Sequence, residues 1–424
     1  MRHRSYLGSL NRQRSALIIA VVVLFVLFES LPLPKTRPDA RFEVSQDRPR
    51  YLHQSPFRTN PNYEYEIKLS NALRDLEIEG QLRGDEGAPD TVWQIMLMDN
   101  DKRGDDSFQF EKKNSDWKYS VRHPLHFPLF IDNINPPQLV NAKWADRFIT
   151  ETLASIPDLE RLYKSYPGYV LRGDLLRYLI LWYYGGYYAD VDVYPATSIK
   201  ACPSMQNTIF NPNTTITNTN ISLVVGIEID EPFASTEKMR DWHWVRRYGF
   251  LQYTMYAPRR FSPLLREVIV RVLSHTKQHI AQSHIWGARY NEMTTLEITG
   301  PGVFTDAILD VLSETLPSDH QLIQKSVDAD EGLGDLIPSY SALPVQRVTW
   351  APFYQLQETL CVDGGEAKSG KMLGGLCVLP LNAWGNGQRH SRAEGFNSQH
   401  ACINHRFGGT WKPWRQSWRK WLFG

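Results

Sequence analysis

Asp190 and Asp192 stand two residues apart at the end of an aromatic run, Tyr187-Tyr188-Ala189-Asp190-Val191-Asp192. On a strand, carboxylates at that spacing lean to one side. Two such groups repel unless one is protonated or a cation lies between them. A divalent cation held by one or two carboxylates and by the oxygens of a phosphorylated substrate is the usual resolution. A bare Asp-x-Asp is common at solvated strand ends, so the surroundings must give this one its meaning. Upstream, Asp174 and Arg177 stand in a stretch that is otherwise apolar and ends at Gly185-Gly186.

Those groups need elements to bring them together. Asp174 to Tyr184 has the pattern of a helix that starts after Gly173 and stops at Gly185-Gly186. Tyr187 to Val193 reads as a strand closed by Pro195. The helix climbs about 15 Å, and the strand returns about 16 Å if it folds back. Asp190 and Asp192 then come level with Asp174 and Arg177. Charges in so apolar a setting are costly unless paired. On their own terms, Asp174 and Arg177 are equally a helix cap with an ion pair three residues on.

Around this block the chain alternates apolar runs with helical patterns, which favours an α/β fold. Thr91 to Leu97 looks like a first buried strand, so the catalytic body is expected over 89–424. Residues 34–62 are rich in Pro, Arg, Asn and Gln, and 63–82 carry apolar residues at helical spacing. Together 34–88 read as a linker and stem. The 42% hydrophobic and 22% charged fractions exclude wholesale disorder. With 47 Lys+Arg against 46 Asp+Glu, no nucleic acid is expected as a partner.

The amino terminus sets the expected compartment. Residues 1–15 hold Arg2, Arg4, Arg12 and Arg14 and no acid, and Ala16 to Phe28 is uninterruptedly apolar. Extended to residue 33, the run reaches the lower limit for a bilayer-spanning helix, which needs about 17–25 residues. No small-x-small cleavage pattern follows, so 16–33 is expected to be a retained signal anchor with 1–15 cytosolic. Everything after it then lies in a lumen. Asn213 and Asn220 head glycosylation triplets, in keeping with that side. The four cysteines, Cys202, Cys361, Cys377 and Cys402, allow three pairings. Cys361 with Cys377, across a Gly-rich segment, is the expected one.

The 171–195 block resembles the sugar-nucleotide-binding region of glycosyltransferase family 32, with its D-x-x-R-Y-x-x-L helix followed by G-G-x-Y-x-D-x-D. This chain supplies Asp174, Arg177, Tyr178, Leu181, Gly185, Gly186, Tyr188, Asp190 and Asp192 at those places. Val225 to Asp230 resembles the family's G-x-E-x-D strand, and Thr299 to Asp306 its T-G-P-x-x-x-T segment. His405 to Trp411 resembles its closing H-x-x-x-G-S-W, with Thr410 in the Ser place. The opening I-P-K-I-I-W-Q-T-W is altered here to Pro89-Asp90-Thr91-Val92-Trp93-Gln94-Ile95.

The resemblance implies a GT-A fold, a Rossmann-like α/β domain with its nucleotide site at strand carboxyl ends. It implies that Asp192 binds a metal and that Asp190 touches the metal or the ribose. Asp174, Arg177 and Tyr188 would serve the donor, Arg177 also keeping the acids ionised. His405 to Trp414 is also similar to the His-Gly-Lys-Pro-Trp endings of other metal-dependent transferases. That makes His405 a third ligand and Lys412 a diphosphate contact. Imidazole beside carboxylates suits Mn2+. Trp93 is either a stacking surface for the base or a core residue. Glu228 and Asp230, on one strand face, are candidates for acceptor contacts, for stabilising an oxocarbenium-like centre, or for a solvated strand end.

The family's best-known members imply transfer of mannose from GDP-mannose to an N-glycan or mannan acceptor, α-1,6-linked and with retention. No residue is an obvious nucleophile, so front-face attack is the expected course. A Golgi membrane location, single-pass type II, and a place in a Golgi transferase complex belong to the same expectation. The alternative within the fold is another sugar nucleotide, such as a UDP sugar, or a different glycan. Phosphohydrolases that phosphorylate the first Asp of Asp-x-Asp expect Thr or Val where Tyr194 stands. A non-enzymatic lectin or chaperone would not need the intact acidic pair.

Overall fold

The computed structural model describes residues 55–84, 87–97, 103–119, 139–206, 208–210, 221–283, 287–329, 336–338, 344–364 and 373–407. The expected signal anchor (16–33), the tail before it, Asn213, Asn220 and Lys412 lie outside the described residues. Among the described residues no helix is long and apolar enough to cross a membrane.

The strands are β1 (Val92–Trp93), β2 (Gly186–Ala189), β3 (Val193–Pro195), β4 (Leu223–Asp230), β5 (Tyr248–Phe250) and β6 (Thr254–Ala257). They continue as β7 (Leu336–Pro338), β8 (Pro344–Gln346), β9 (Leu360–Val362), β10 (Leu376–Leu379) and β11 (Ile403–His405). The principal sheet has the order β1-β2-β6-β4-β10-β9, with β5 paired to β4. The pairings make β1, β2, β4 and β10 run one way and β5, β6 and β9 the other. Two small hairpin-like pairs, β3 with β11 and β7 with β8, stand apart. This mixed sheet with its helices is the expected α/β body.

Six helices among the described residues have nine or more residues: α1 (Tyr63–Leu82), α2 (Asp105–Lys113), α3 (Tyr169–Tyr184), α4 (Pro263–Ala281), α5 (Pro301–Thr315) and α6 (Gln321–Ala329). Helix α3 is buried from Gly173 to Tyr184, as a helix apolar on all sides must be. It starts at Tyr169 rather than at Asp174, so Asp174 and Arg177 lie inside the helix and not at its cap. Gly185 and Gly186 end it with φ of 74° and 100°. A Cβ on Gly186 would sit 2.6 Å from Trp93 Nε1 and 2.7 Å from the Thr91 carbonyl oxygen. The double glycine is therefore what lets β2 lie against β1.

The assignment of 63–82 to a stem is corrected by the structure. Asn62 caps α1 by accepting from Tyr65 N–H, and Leu69 and Leu73 are wholly buried in the main core. Glu77 accepts from Trp182 Nε1 at 3.0 Å and from Arg266 at 2.5 Å. Buried polar partners of this kind make α1 part of the body, whose boundary moves upstream of 89. The first strand is also shorter than Thr91 to Leu97, covering Val92–Trp93. The expected bond between Cys361 and Cys377 is present, joining β9 to β10, and a second one joins Cys202 to Cys402.

One buried group on α4 sets a pH dependence of stability. His275 is 1% exposed, its ring stacked on Phe57 at 4.9 Å. Burial, aided by the charges of Arg58 and Arg271, lowers its pKa to about 3. The unfolded chain takes up a proton near pH 6.5 that the folded protein refuses. His275 therefore contributes stability that is full above pH 6.5 and is lost as pH falls toward 3. His275→Gln should flatten that slope by about 1.4 kcal/mol per pH unit. Urea midpoints at pH 7 and pH 5 check it, and an unchanged difference between them refutes it.

Candidate metal and donor site

The site lies where β2 ends. Strand β2 stops at Ala189, Asp190 to Asp192 form a turn, and β3 begins at Val193. Val193 N–H donates to the Asp190 carbonyl at 3.1 Å. The two acids thus converge through this turn, not through the alternation of one continuous strand. From the far end of the chain, β11 pairs antiparallel with β3 and sets His405 opposite Val193. Its imidazole Nε2 lies 3.2 Å from Asp192 Oδ1. One ligand atom from each of Asp190, Asp192 and His405 lies within 4.8 Å of the others. The disulfide between Cys202 and Cys402, three residues before His405, ties β11 to the segment after β3.

The electrostatics are those of a cation site. Burial raises the Asp190 carboxyl against the opposing pull of Arg177, and the charge of Asp192 adds to the rise. Burial acts on Asp192 in the same sense, but the hydrogen bond and charge of His405 outweigh it and leave that carboxyl lowered. Burial works to lower His405 and is outweighed by Asp192, so the imidazole is raised. Two carboxylates and an imidazole are a donor set that suits Mn2+. The proton shared by His405 and Asp192 is what a dication would displace. The ring of His405 is oriented by stacking on Tyr253, centroids 4.3 Å apart, and by Phe407 edge-on at 4.5 Å.

Behind the acids stands a buried charge relay. Arg177 lies 2.9 Å from Asp174 Oδ1 and 3.4 Å from Asp190 Oδ1. It also donates to the Gln252 carbonyl at 3.1 Å. Asp174 accepts from Thr299 Oγ1 at 2.8 Å, and burial raises its pKa to about 6. The second Thr of the same motif, Thr305, accepts from Phe250 N–H at 2.9 Å and fastens α5 to the sheet. Tyr178 bonds both Gln252 and the Thr299 carbonyl.

Three expected roles are corrected. Trp93 is 4% exposed, packs against Tyr184 and Trp144, and donates from Nε1 to the Gly185 carbonyl at 2.8 Å. No face is left for a base, and the core reading holds. Tyr188 is 2% exposed, and its hydroxyl donates to Asp190 Oδ1 at 2.5 Å. It positions an acid rather than touching a donor. Glu228 and Asp230 face different surroundings. Glu228 faces the charges of His405 and Asp190, and burial raises its pKa to about 7. Asp230 is 9% exposed and accepts from Gln355 N–H at 2.8 Å. Its nearest charges are Glu231 and Arg392, so it ties loops together. A register shift in the pairing of β4 with β5 between Ile227 and Ile229 accompanies the split.

Gln252, Tyr253 and Thr299 are site residues not singled out in the sequence. Gln252 and Tyr253 lie between two short strands with no motif of their own. Thr299 stands at the head of the T-G-P segment, and its role depends on a partner 125 residues away.

A family model described as a glycosyltransferase sugar-binding region containing a DXD motif matches residues 46–213. The chain is 24% identical to an initiation-specific α-1,6-mannosyltransferase of Candida albicans, over 83% of this chain and 80% of that protein. It is 23% identical to the protein of that name from Saccharomyces cerevisiae, over 95% and 96% of the two chains. A putative glycosyltransferase of Saccharomyces cerevisiae, HOC1, is 30% identical over 39% of this chain and 38% of its own length.

Proposed function

The chain belongs to the DXD-containing glycosyltransferases of family 32, and from that premise we propose that it moves mannose from GDP-mannose to an N-glycan or mannan acceptor, α-1,6-linked and with retention. The observation that carries the reading is the convergence of Asp190, Asp192 and His405 in front of the Arg177–Asp174 pair. Asp190, Asp192 and His405 would hold Mn2+, which when bound neutralises the departing diphosphate. The relay behind them keeps Asp190 in place through Arg177 and Tyr188. Glu228, which feels the charges of His405 and Asp190, is the further acid at this corner, and its raised pKa suits hydrogen bonding to hydroxyls at neutral pH. The choice of guanine and of mannose rests on the kinship alone, because Trp93 is withdrawn into the core.

The lumenal setting belongs to the same proposal. Two disulfides suit an oxidising compartment, in keeping with a type II Golgi protein anchored by 16–33. The experiment is to incubate the full chain with Mn2+, a high-mannose acceptor, and GDP-mannose or UDP sugars in turn. Consumption of GDP-mannose that stops on chelation is expected. A folded protein that consumes no sugar nucleotide sinks the proposal, and one that consumes only a UDP sugar overturns the donor.

A further inference from the structure

Past the metal corner, β4 leads to a second feature that the donor chemistry leaves unused. The short helix Thr236–Asp241 ends in a double turn: His243 N–H donates to the Arg240 carbonyl at 3.1 Å and Trp244 N–H to the Met239 carbonyl at 2.9 Å. This is a Schellman motif, whose left-handed position is usually glycine. Here His243 occupies it, with φ of 57°. The reversal lays Trp244 on Trp242, ring centroids 5.7 Å apart and planes within 22°. His390 packs at a steep angle against both indoles, ring centroids 4.9 and 4.8 Å away. Trp244 is 9% exposed and packs on Ile229 and Ala234, but Trp242 is 39% exposed. Trp242 thus keeps much of its ring open to solvent, although Trp244 and His390 both pack against it.

The loop that carries His390 is held in unusual backbone. Ser391 and Arg392 follow it with φ of 56° and 58°, a costly conformation that is kept where surroundings impose it. What imposes it here is β4: Ser391 Oγ accepts from Asp230 N–H at 2.8 Å, and Ser391 N–H donates to Glu231 at 2.8 Å. His390 Nδ1 lies 2.9 Å from the same hydroxyl. The platform is thereby bolted to the strand whose Glu228 faces the metal corner. Glu228 to Glu231 spans about 10 Å of strand, more than one sugar ring bridges. Arg392, exposed and two residues after His390, carries a donor fork that suits hydroxyls.

We propose that Trp242, backed by Trp244 and His390, is a stacking platform for a sugar of an oligosaccharide acceptor, remote from the hydroxyl that reacts. This rests on the transferase reading for the word acceptor. The physics is independent of it: the apolar C–H face of a pyranose stacks on the electron-rich face of an exposed indole. The occupant is a carbohydrate rather than a protein because an exposed indole, with an exposed Arg on the same loop as its His390 neighbour, suits a ring that is apolar on one side and hydroxylated at its rim.

Binding of a high-mannose oligosaccharide to the full chain, measured by titration calorimetry without donor, tests it. Trp242→Ala should weaken binding about tenfold, and Trp242→Phe, which keeps a ring face, should recover most of it. Phe233→Ala removes another exposed aromatic, 62% exposed and set against Trp350 and Tyr354 instead, and should leave the affinity unchanged. Equal affinity of Trp242→Ala and wild type overturns the platform, as does no binding by wild type or an equal loss in Phe233→Ala. Trp242-dependent binding by a protein that consumes no sugar nucleotide leaves the platform standing and sinks the transferase reading alone.

Discussion

Asp192→Asn should leave the protein folded and cut sugar transfer by about 10²–10³-fold, the scale on which one charge-stabilising group is lost. The Asp192 side chain is 35% exposed and its partner His405 can still bond an amide oxygen, so the fold has little to lose. What disappears is a full negative charge from the proposed three-ligand set, and with it the grip that set would have on a dication. Two measurements check this: steady-state transfer with GDP-mannose, and Mn2+ affinity by calorimetry, which should fall in step. Wild-type turnover and wild-type Mn2+ affinity in the folded variant would remove Asp192 from the metal site.

Arg177→Met should destabilise the protein by about 3–5 kcal/mol, the usual penalty when one member of a buried charge group is removed. The guanidinium is 9% exposed, between Asp174 and Asp190, and lies over the ring of Tyr188 at 5.1 Å. Without it, two acids, Asp174 buried and Asp190 half-buried, lose their counter-charge. They then bind protons more readily, and both are already raised by burial. The folded variant therefore takes up protons that the unfolded chain lacks, and its deficit should shrink as pH falls from 8 to 5.5. Arg177→Lys keeps a charge without the planar fork and should recover part of the loss. Urea denaturation at the two pH values decides the matter. A deficit under about 1 kcal/mol, the size of an exposed pair, would sink the account.

Much of the corner was legible because local chemistry encodes it. The all-apolar helix, the double glycine and the acids beyond it lie within a few turns of chain, and their meeting follows from element lengths. The bond between Cys361 and Cys377 was legible for the same reason, being 16 residues apart. What failed were inferences that depended on distant partners. Asp174 resembled a cap until Thr299 came to meet it. Trp93 offered a face until Tyr184 and Trp144 covered it. Asp230 shared the period of Glu228, yet the Gln355 backbone claimed its carboxylate. Helix α1 had the composition of a stem, and only the burial of Leu69 and Leu73 puts it inside. His405 was reached by kinship, since nothing near residue 190 announces a ligand from the end of the chain.

That last point bears on how the molecule matures. The two acids leave the ribosome long before His405, and β11 is only Ile403–His405, too short to hold its register unaided. Its clasp, between Cys202 and Cys402, closes a span of 200 residues. A nascent chain halted anywhere short of position 405 carries the two acids but not the imidazole that stands against Asp192. The corner therefore joins segments made far apart in time, and its closing strand is secured by a bond that an oxidising compartment must supply.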